Sequence, residues 1–159
     1  MEANKIFYEI EILSDKKILV KDNQHKYQVL LSDRLMEFAA NTISFLYTLP
    51  IYREFDVFRN QLSRSATSIG ANYEESQASS YPEFKQRIQI CLREAREANY
   101  WIRLLLKLIN ENIKLNRTFK GKSTDNLHKL QKESSEIVLI FGAISSKINK
   151  KLKQTSSSK

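Results

Sequence analysis

The chain has 159 residues, 42% of them hydrophobic, a size that suits one domain with its own apolar core. Its 3 Gly and 2 Pro favour long helices over a turn-rich β fold. The single cysteine, Cys91, excludes an internal disulfide and a metal site built from several thiolates. No apolar run approaches the roughly 20 residues of a membrane span, and the N-terminus lacks a signal-peptide core. We therefore expect a soluble, cytoplasmic protein.

The net charge of +8 is unevenly distributed. Residues 113–159 contain eleven basic and three acidic residues, whereas the charges of the preceding residues cancel. A basic surface of this kind attracts polyanions by releasing their counterions. A lysine-rich face that serves only solubility would have the same composition, so charge alone leaves both interpretations open.

Residues 1–30 are predicted to form an N-terminal arm outside the core. Ile6, Tyr8 and Ile10 alternate with other residues in a partly strand-like pattern, which fits a short β-hairpin or a loosely docked arm. Ser32 is a favourable N-cap, and apolar residues then recur at steps of three and four. This spacing predicts a first helix over 32–48 that ends before Pro50.

Three further amphipathic patterns predict helices over 54–79, over 80–112, and from 123–125 to about residue 150. The second helix of the chain, over 54–79, contains many small residues, which favours close approach of a neighbouring helix. The third helix of the chain, over 80–112, has two adjacent apolar stripes, so we expect its apolar face to be buried both within the subunit and between subunits. Together the helices predict an all-α, antiparallel up-and-down four-helix bundle over 31–152, followed by a disordered basic tail over 153–159.

The sequence shows no persuasive catalytic set. His25 and His128 have no partners at metal-ligand spacing, Cys91 lies on an apolar helix face, and three glycines cannot build a phosphate loop. We therefore expect no enzymatic activity, no catalytic residues, no metal and no cofactor. Tyr100 and Trp101 adjoin arginines and could stack on bases, but Trp101 falls on an apolar stripe, which favours burial.

A structural polar network is predicted between the second and third helices. Its members lie on one side of each helix: Arg64, Ser68, Asn72 and Glu75 on the second, and Glu94 and Glu97 on the third. Arg64 is expected to pair with Glu94 or Glu97, since an unpaired buried charge is costly. An acid-base or metal site is the less favoured alternative, because no histidine or third carboxylate converges there.

Two linked motifs carry a family resemblance. The first is QLSRSATSIGANYEESQ over residues 61–77, and the second joins Phe84-Lys85 to EAREANYWI over 94–102. Over residues 33–150 the chain resembles the bacterial four-helix-bundle family of 23S rRNA intervening-sequence proteins. The resemblance implies a ring-like homopentamer and kinship with the accessory protein of diversity-generating retroelements, which binds nucleic acid and a reverse transcriptase. The N-terminal arm departs from the family pattern.

These observations lead to two hypotheses. The first is a homo-oligomeric accessory protein that binds RNA or DNA, with a reverse transcriptase as a further partner. The second is a protein–protein scaffold with no nucleic-acid role. In the first, phosphates would contact basic residues of the third connection and of the C-terminal segment: Lys114, Arg117, Lys120, Lys122, Lys147, Lys150, Lys151 and Lys153.

Overall fold

The computed structural model describes residues 24–111 and 122–156, and within these it contains no strand. It confirms the predicted all-α four-helix fold. The N-terminal arm or hairpin was predicted for residues 1–30: residues 1–23 lie outside the described residues, whereas residues 24–30 are part of the first helix and not of a separate arm. The four helices are α1 (Gln24–Leu46), α2 (Asp56–Gln77), α3 (Tyr81–Glu111) and α4 (Lys122–Ser156), with a short 3-10 helix at Arg53–Phe55 before α2.

Side-chain contacts establish that neighbouring helices run antiparallel. Asn99 of α3 donates to Ser134 of α4 at 3.0 Å. Gln89, earlier in α3, donates to Ser145, later in α4, also at 3.0 Å. A later residue of α4 therefore contacts an earlier residue of α3, as in an antiparallel pair. Helices adjacent in the chain pack side by side, and α1 also contacts α4, which closes the bundle.

Two helix ends differ from the prediction. Ser32 does not cap α1, because α1 begins at Gln24 and continues through it, and the Ser32 hydroxyl instead bonds to Glu74 of α2. No glycine or proline occurs between 24 and 46 to interrupt the helix. At the other end of the chain α4 continues to Ser156, so residues 153–156 of the predicted disordered tail are helical. Lysines are favourable in a last helical turn, where they meet the negative end of the dipole.

The start of α3 agrees with the prediction. Pro82 and Glu83 lie in its first turn. The backbone N–H of Ser80 donates to Oε2 of Glu83 at 2.9 Å, as in a capping box. Hydrogen bonds from the Ser80 hydroxyl and amide lower the pKa of Glu83 below its ordinary value. Glu83 thereby accepts from the backbone N–H of Ser80, which gives this donor at the helix N-terminus a partner.

The wide apolar face of α3 is covered within the subunit. Its second stripe was expected to need another copy of the chain, but Cys91, Ala98 and Leu105 are all 0% exposed in the single chain. Since α3 packs against both α2 and α4, two helices of the same subunit divide the face between them. Only its margins remain open, at the half-buried Trp101 and at Leu108. The width of α3 therefore gives no argument for an oligomer.

Small side chains occupy the interior of α2, as close helix packing predicts. Ser65 and Ala66 are completely buried. Gly70 is only half-buried, and a methyl group at its position would lie 3.8 Å from Cβ of Leu35, an ordinary van der Waals contact. Close packing thus explains the small residues at 65 and 66 but does not require glycine at 70.

Candidate nucleic-acid interface

The C-terminal part of α4 is basic and helical. Residues 137–159 contain five lysines and no acidic residue. Lys147, Lys150 and Lys151 follow one another at spacings of three and four from the first, so their backbone positions share one side of the helix. Lys153 follows Lys150 at a spacing of three, and Lys150 is exposed. The helix thus places the backbone positions of all four C-terminal candidates within one half of its circumference.

Of the candidates predicted in the connection between α3 and α4, Lys122 lies within the described residues. Lys122 is the first residue of α4, and Lys147 lies near the other end of the same helix. At a rise of 1.5 Å per residue, about 38 Å separates the two positions. Lys114, Arg117 and Lys120 lie outside the described residues. The backbone positions of Lys122 and of the C-terminal lysines therefore lie toward opposite ends of α4.

Part of the predicted polar network lies at the edge of the contact between α2 and α3. Nη2 of Arg64 donates to Oε1 of Glu97 at 3.1 Å. The side chains are 65% and 28% exposed, so this is a surface pair rather than a buried one. The indole nitrogen of Trp101 is 3.4 Å from the same oxygen, and its ring meets Phe58 edge to face at 5.8 Å. Glu97 therefore helps to hold Trp101 against the core.

A second group in the network includes a residue that the sequence analysis missed. Asn72 donates to the hydroxyl of Ser68 at 3.1 Å, and Nη1 of Arg87 donates to Oδ1 of Asn72 at 2.9 Å. Arg87 also pairs with Glu75 at 2.6 Å. In an antiparallel pair, a step forward along α2 corresponds to a step back along α3. The register of Arg64 with its α3 partner would therefore have pointed to Arg87.

Glu94 is not a partner of Arg64. It is 7% exposed, and its ion pair at 3.2 Å is with Arg93, the residue beside it. Glu97, one turn farther along α3, occupies the position that faces the Arg64 guanidinium. Glu94 and Glu97 consequently pair with different arginines, so they do not converge on a shared group as the carboxylates of an acid-base site would.

Cys91 is placed as a packing residue. Its sulfur lies 3.5 Å from the carbonyl oxygen of Ile69, and burial raises the pKa of the thiol to about 12. A thiol that stays protonated is a poor nucleophile and a poor metal ligand. In the described parts of the chain, no three His, Cys, Asp or Glu side chains lie together as metal ligands would. Those parts also contain no helix with the length and apolarity to cross a bilayer.

A groove of about 560 Å³ with a mixed polar and apolar lining lies between α1 and α4. Its walls include Asn41 and Ser44 of α1 and Lys129 of α4. Arg34 spans it, donating from Nη2 to Glu133 at 3.0 Å and pairing also with Glu136 of α4. These hydrogen bonds raise the pKa of Arg34 above its ordinary value. The groove is open to solvent, and the guanidinium of Arg34 is already paired with two carboxylates.

Comparisons with known proteins place this fold. The family model described as 23S rRNA-intervening sequence protein matches residues 27–137. A solved structure from the S23 ribosomal protein family of Bacteroides thetaiotaomicron, described as a protein with unknown function, is similar with a TM-score of 0.59 and 27% identity; the match covers 75% of this chain and 97% of that one. No curated protein matches. Neither matching description names an enzymatic activity. The chain therefore belongs to the 23S rRNA-intervening sequence protein family.

Proposed function

We propose that the chain is a non-enzymatic, homo-oligomeric accessory protein that binds RNA or DNA through basic surfaces. The observation that carries the proposal is the acid-free end of the chain, residues 137–159 with five lysines, much of which is the second half of a long helix. Lysines on a helix contact phosphates without reading bases, so binding is tolerant of sequence and weakens steeply with salt.

Self-association is supported by exposed apolar side chains at the connection between α1 and α2. Tyr47, Ile51 and Tyr52 are 86%, 97% and 62% exposed, and Val57 at the start of α2 is 43% exposed. Apolar side chains gathered at one end of a bundle are typical of a surface that a partner covers. Cyclic assembly through this end, as the resemblance to pentameric relatives implies, would repeat the basic helix around a ring and multiply its field.

The proposed partners follow from charge and from the resemblance. The basic helix fits RNA or DNA, and kinship with the retroelement accessory protein adds a reverse transcriptase as a protein partner. The absence of enzymatic activity is proposed because Cys91 is buried as a thiol and the carboxylates of α2 and α3 are divided between arginines.

The test is to replace Lys147, Lys150, Lys151 and Lys153 with glutamine. We expect weaker binding of a labelled 20-nucleotide RNA and a shallower salt dependence, by about 0.7 in the slope of log K against log salt for each phosphate that the variant no longer neutralises. Fluorescence anisotropy over a salt series measures both. Arginine at the same four positions is the matched control and should retain binding, and sedimentation should find the same oligomer in all three proteins.

The alternative is a protein–protein scaffold with no nucleic-acid role, in which the exposed residues at Ile51 and Tyr52 receive another protein. It is favoured if the wild-type protein does not bind RNA or DNA at low salt, or if its affinity hardly changes with salt. A monomer at micromolar concentration would contradict the homo-oligomer in the first proposal. Ile51→Glu is the corresponding variant, and we expect it to shift the oligomer toward monomer.

A further inference from the structure

The outer face of α3 carries a second set of cations. Arg93, Arg96, Tyr100, Arg103 and Lys107 recur at spacings of three and four, and all five are exposed. Such spacing places them in one stripe along the helix, about 21 Å long. Among the described helices, α3 packs against α2 and α4, and the stripe faces away from both. We call these five residues the outer stripe.

The carboxylates of α3 leave the centre of the outer stripe uncompensated. Glu94 is buried beside Arg93, and Glu97 pairs with Arg64 of α2. Among the described residues, Arg96 and Arg103 have no hydrogen bond or ion pair. They stand one turn before and one turn after Tyr100. The stripe therefore presents one guanidinium group on each side of one aromatic ring.

Tyr100 is exposed but is held in place from beneath. Its side chain is 57% exposed, and its ring meets that of Trp101 at 5.2 Å with an interplanar angle of 73°. Trp101 is in turn fixed by Phe58 and by its contact with Glu97. A ring that is already ordered loses little conformational entropy when a planar ligand stacks on it.

Charge and shape together select the ligand. Arg93 and Lys107 already pair with Glu94 and Glu111, so the uncompensated charge of the stripe is that of Arg96 and Arg103, and a nucleic-acid backbone supplies a phosphate for each. An aromatic ring between the cations adds a stacking surface, which only an unpaired base can use. A duplex keeps its bases stacked on one another, so it could use the cations but not the ring.

We propose that the outer stripe binds single-stranded RNA or DNA, with a base stacked on Tyr100 and phosphates on Arg96 and Arg103. The proposal rests on the proposed nucleic-acid function, but it assigns binding to residues other than the C-terminal lysines and names an unpaired strand as the ligand. Arg93 and Lys107, which pair with Glu94 and Glu111, lie at the two ends of the stripe and are not needed for this contact.

The first experiment removes the ring. Tyr100→Ala should weaken binding of 15-nucleotide oligo(U) and oligo(dT) by roughly 5- to 150-fold, the range expected when one stacked base is no longer supported. Tyr100→Phe should bind like the wild type, and binding of a duplex of the same length should be unchanged in both variants. Anisotropy titrations with single-stranded and duplex probes give the comparison, and the two single-stranded probes separate RNA from DNA.

The second experiment removes the charges. Arg96→Gln with Arg103→Gln should make the slope of log K against log salt shallower by about 1.4, or two phosphate contacts on a single strand. Lys129→Gln with Lys132→Gln removes the same charge from exposed positions of α4 and should change the slope less. Because all four residues are exposed, circular dichroism should find each variant as stable as the wild type.

The outcomes separate this proposal from the function on which it rests. A wild-type protein that binds no oligonucleotide contradicts the nucleic-acid function itself. Binding that survives Tyr100→Ala and the double arginine variant, but disappears with the C-terminal lysines, overturns only the outer stripe. Equal weakening for single strands and duplex in Tyr100→Ala overturns the stacking role. If Tyr100→Ala dissociates the oligomer in sedimentation, the stripe is a self-association surface and the proposal is wrong.

Discussion

Two contacts between helices of this bundle differ in how closely the helices approach. Between α2 and α3 the sulfur of Cys91 lies 3.5 Å from the backbone carbonyl oxygen of Ile69. Between α1 and α4 a groove of about 560 Å³ opens, and Arg34 reaches across it to Glu133. The first contact joins a side chain directly to the neighbouring backbone, whereas the second is bridged by the full length of charged side chains.

Side-chain size accounts for the difference. The interior of α2 and α3 contains small residues that are completely or almost completely buried, among them Ala66, Ala95 and Ala98. Small side chains let two helix backbones approach, and the interior then fills to native density. Long charged residues cannot be buried without partners, so they keep this part of the contact between α1 and α4 open. The α2–α3 pair is therefore the closely packed support for the outer stripe, and the groove is the loosely packed side.

The largest expected effect comes from enlarging a side chain at the close contact. Cys91→Leu should destabilise the protein by about 1–3 kcal/mol, because the added carbons meet the backbone of α2 and force the helices apart. Urea unfolding followed by circular dichroism measures the free energy of unfolding, and an unchanged m-value would show that the unfolding transition itself is the same.

The matched control is Ser44→Leu, an enlargement at an exposed position on the wall of the groove. We expect its free energy of unfolding to stay within about 0.5 kcal/mol of the wild type, because the new side chain enters open space. If both variants lose the same stability, the two contacts are packed alike and the distinction between them is wrong.

Helix periodicity was enough to predict the fold, but local capping signals were less reliable. Pro50 and Pro82 mark real ends and starts, because proline restricts the backbone wherever it occurs. Ser32 has the chemistry of an N-cap, yet a serine caps a helix only where the preceding chain leaves helical geometry. Nothing in the sequence of α1 forces that departure, so the helix continues and the hydroxyl binds Glu74 instead.

Site residues were harder to predict, because spacing along one helix shows which residues share a side but not what that side meets. Ser68 and Asn72 were placed together correctly, whereas Arg87 on the facing helix was missed. The apolar width of α3 was assigned in part to another subunit, although two helices of the same chain cover it. The basic residues of the last third of the sequence looked like one patch, but Lys122 and Lys147 lie toward opposite ends of α4.

Substituting alanine for Gly70 tests how closely α1 and α2 pack, for comparison with the close contact between α2 and α3 and the open contact between α1 and α4. A methyl group there meets Cβ of Leu35 at 3.8 Å, so alanine fits and removes the conformational freedom of glycine from the unfolded chain. We expect the free energy of unfolding to rise by up to about 1 kcal/mol. Gly142→Ala is the matched control. A methyl group at position 142 has no neighbour within 4 Å, so the free energy of unfolding should rise there without a new contact. A decrease in stability only at position 70 would show that α1 and α2 approach more closely than ordinary packing.

The smallest effect is expected at the ion pairs across the groove. Arg34→Met removes the pairs with Glu133 and Glu136, whose side chains are 31% and 41% exposed. Water already screens such groups, so the decrease in the free energy of unfolding should be at most about 1 kcal/mol and should shrink as salt is raised. Urea unfolding at low and at high salt measures both, with Arg53→Met as an exposed control on the 3-10 helix. A decrease that is several times larger and independent of salt would mean that α1 and α4 are joined by a desolvated contact, since only a buried carboxylate left without its partner carries such a cost.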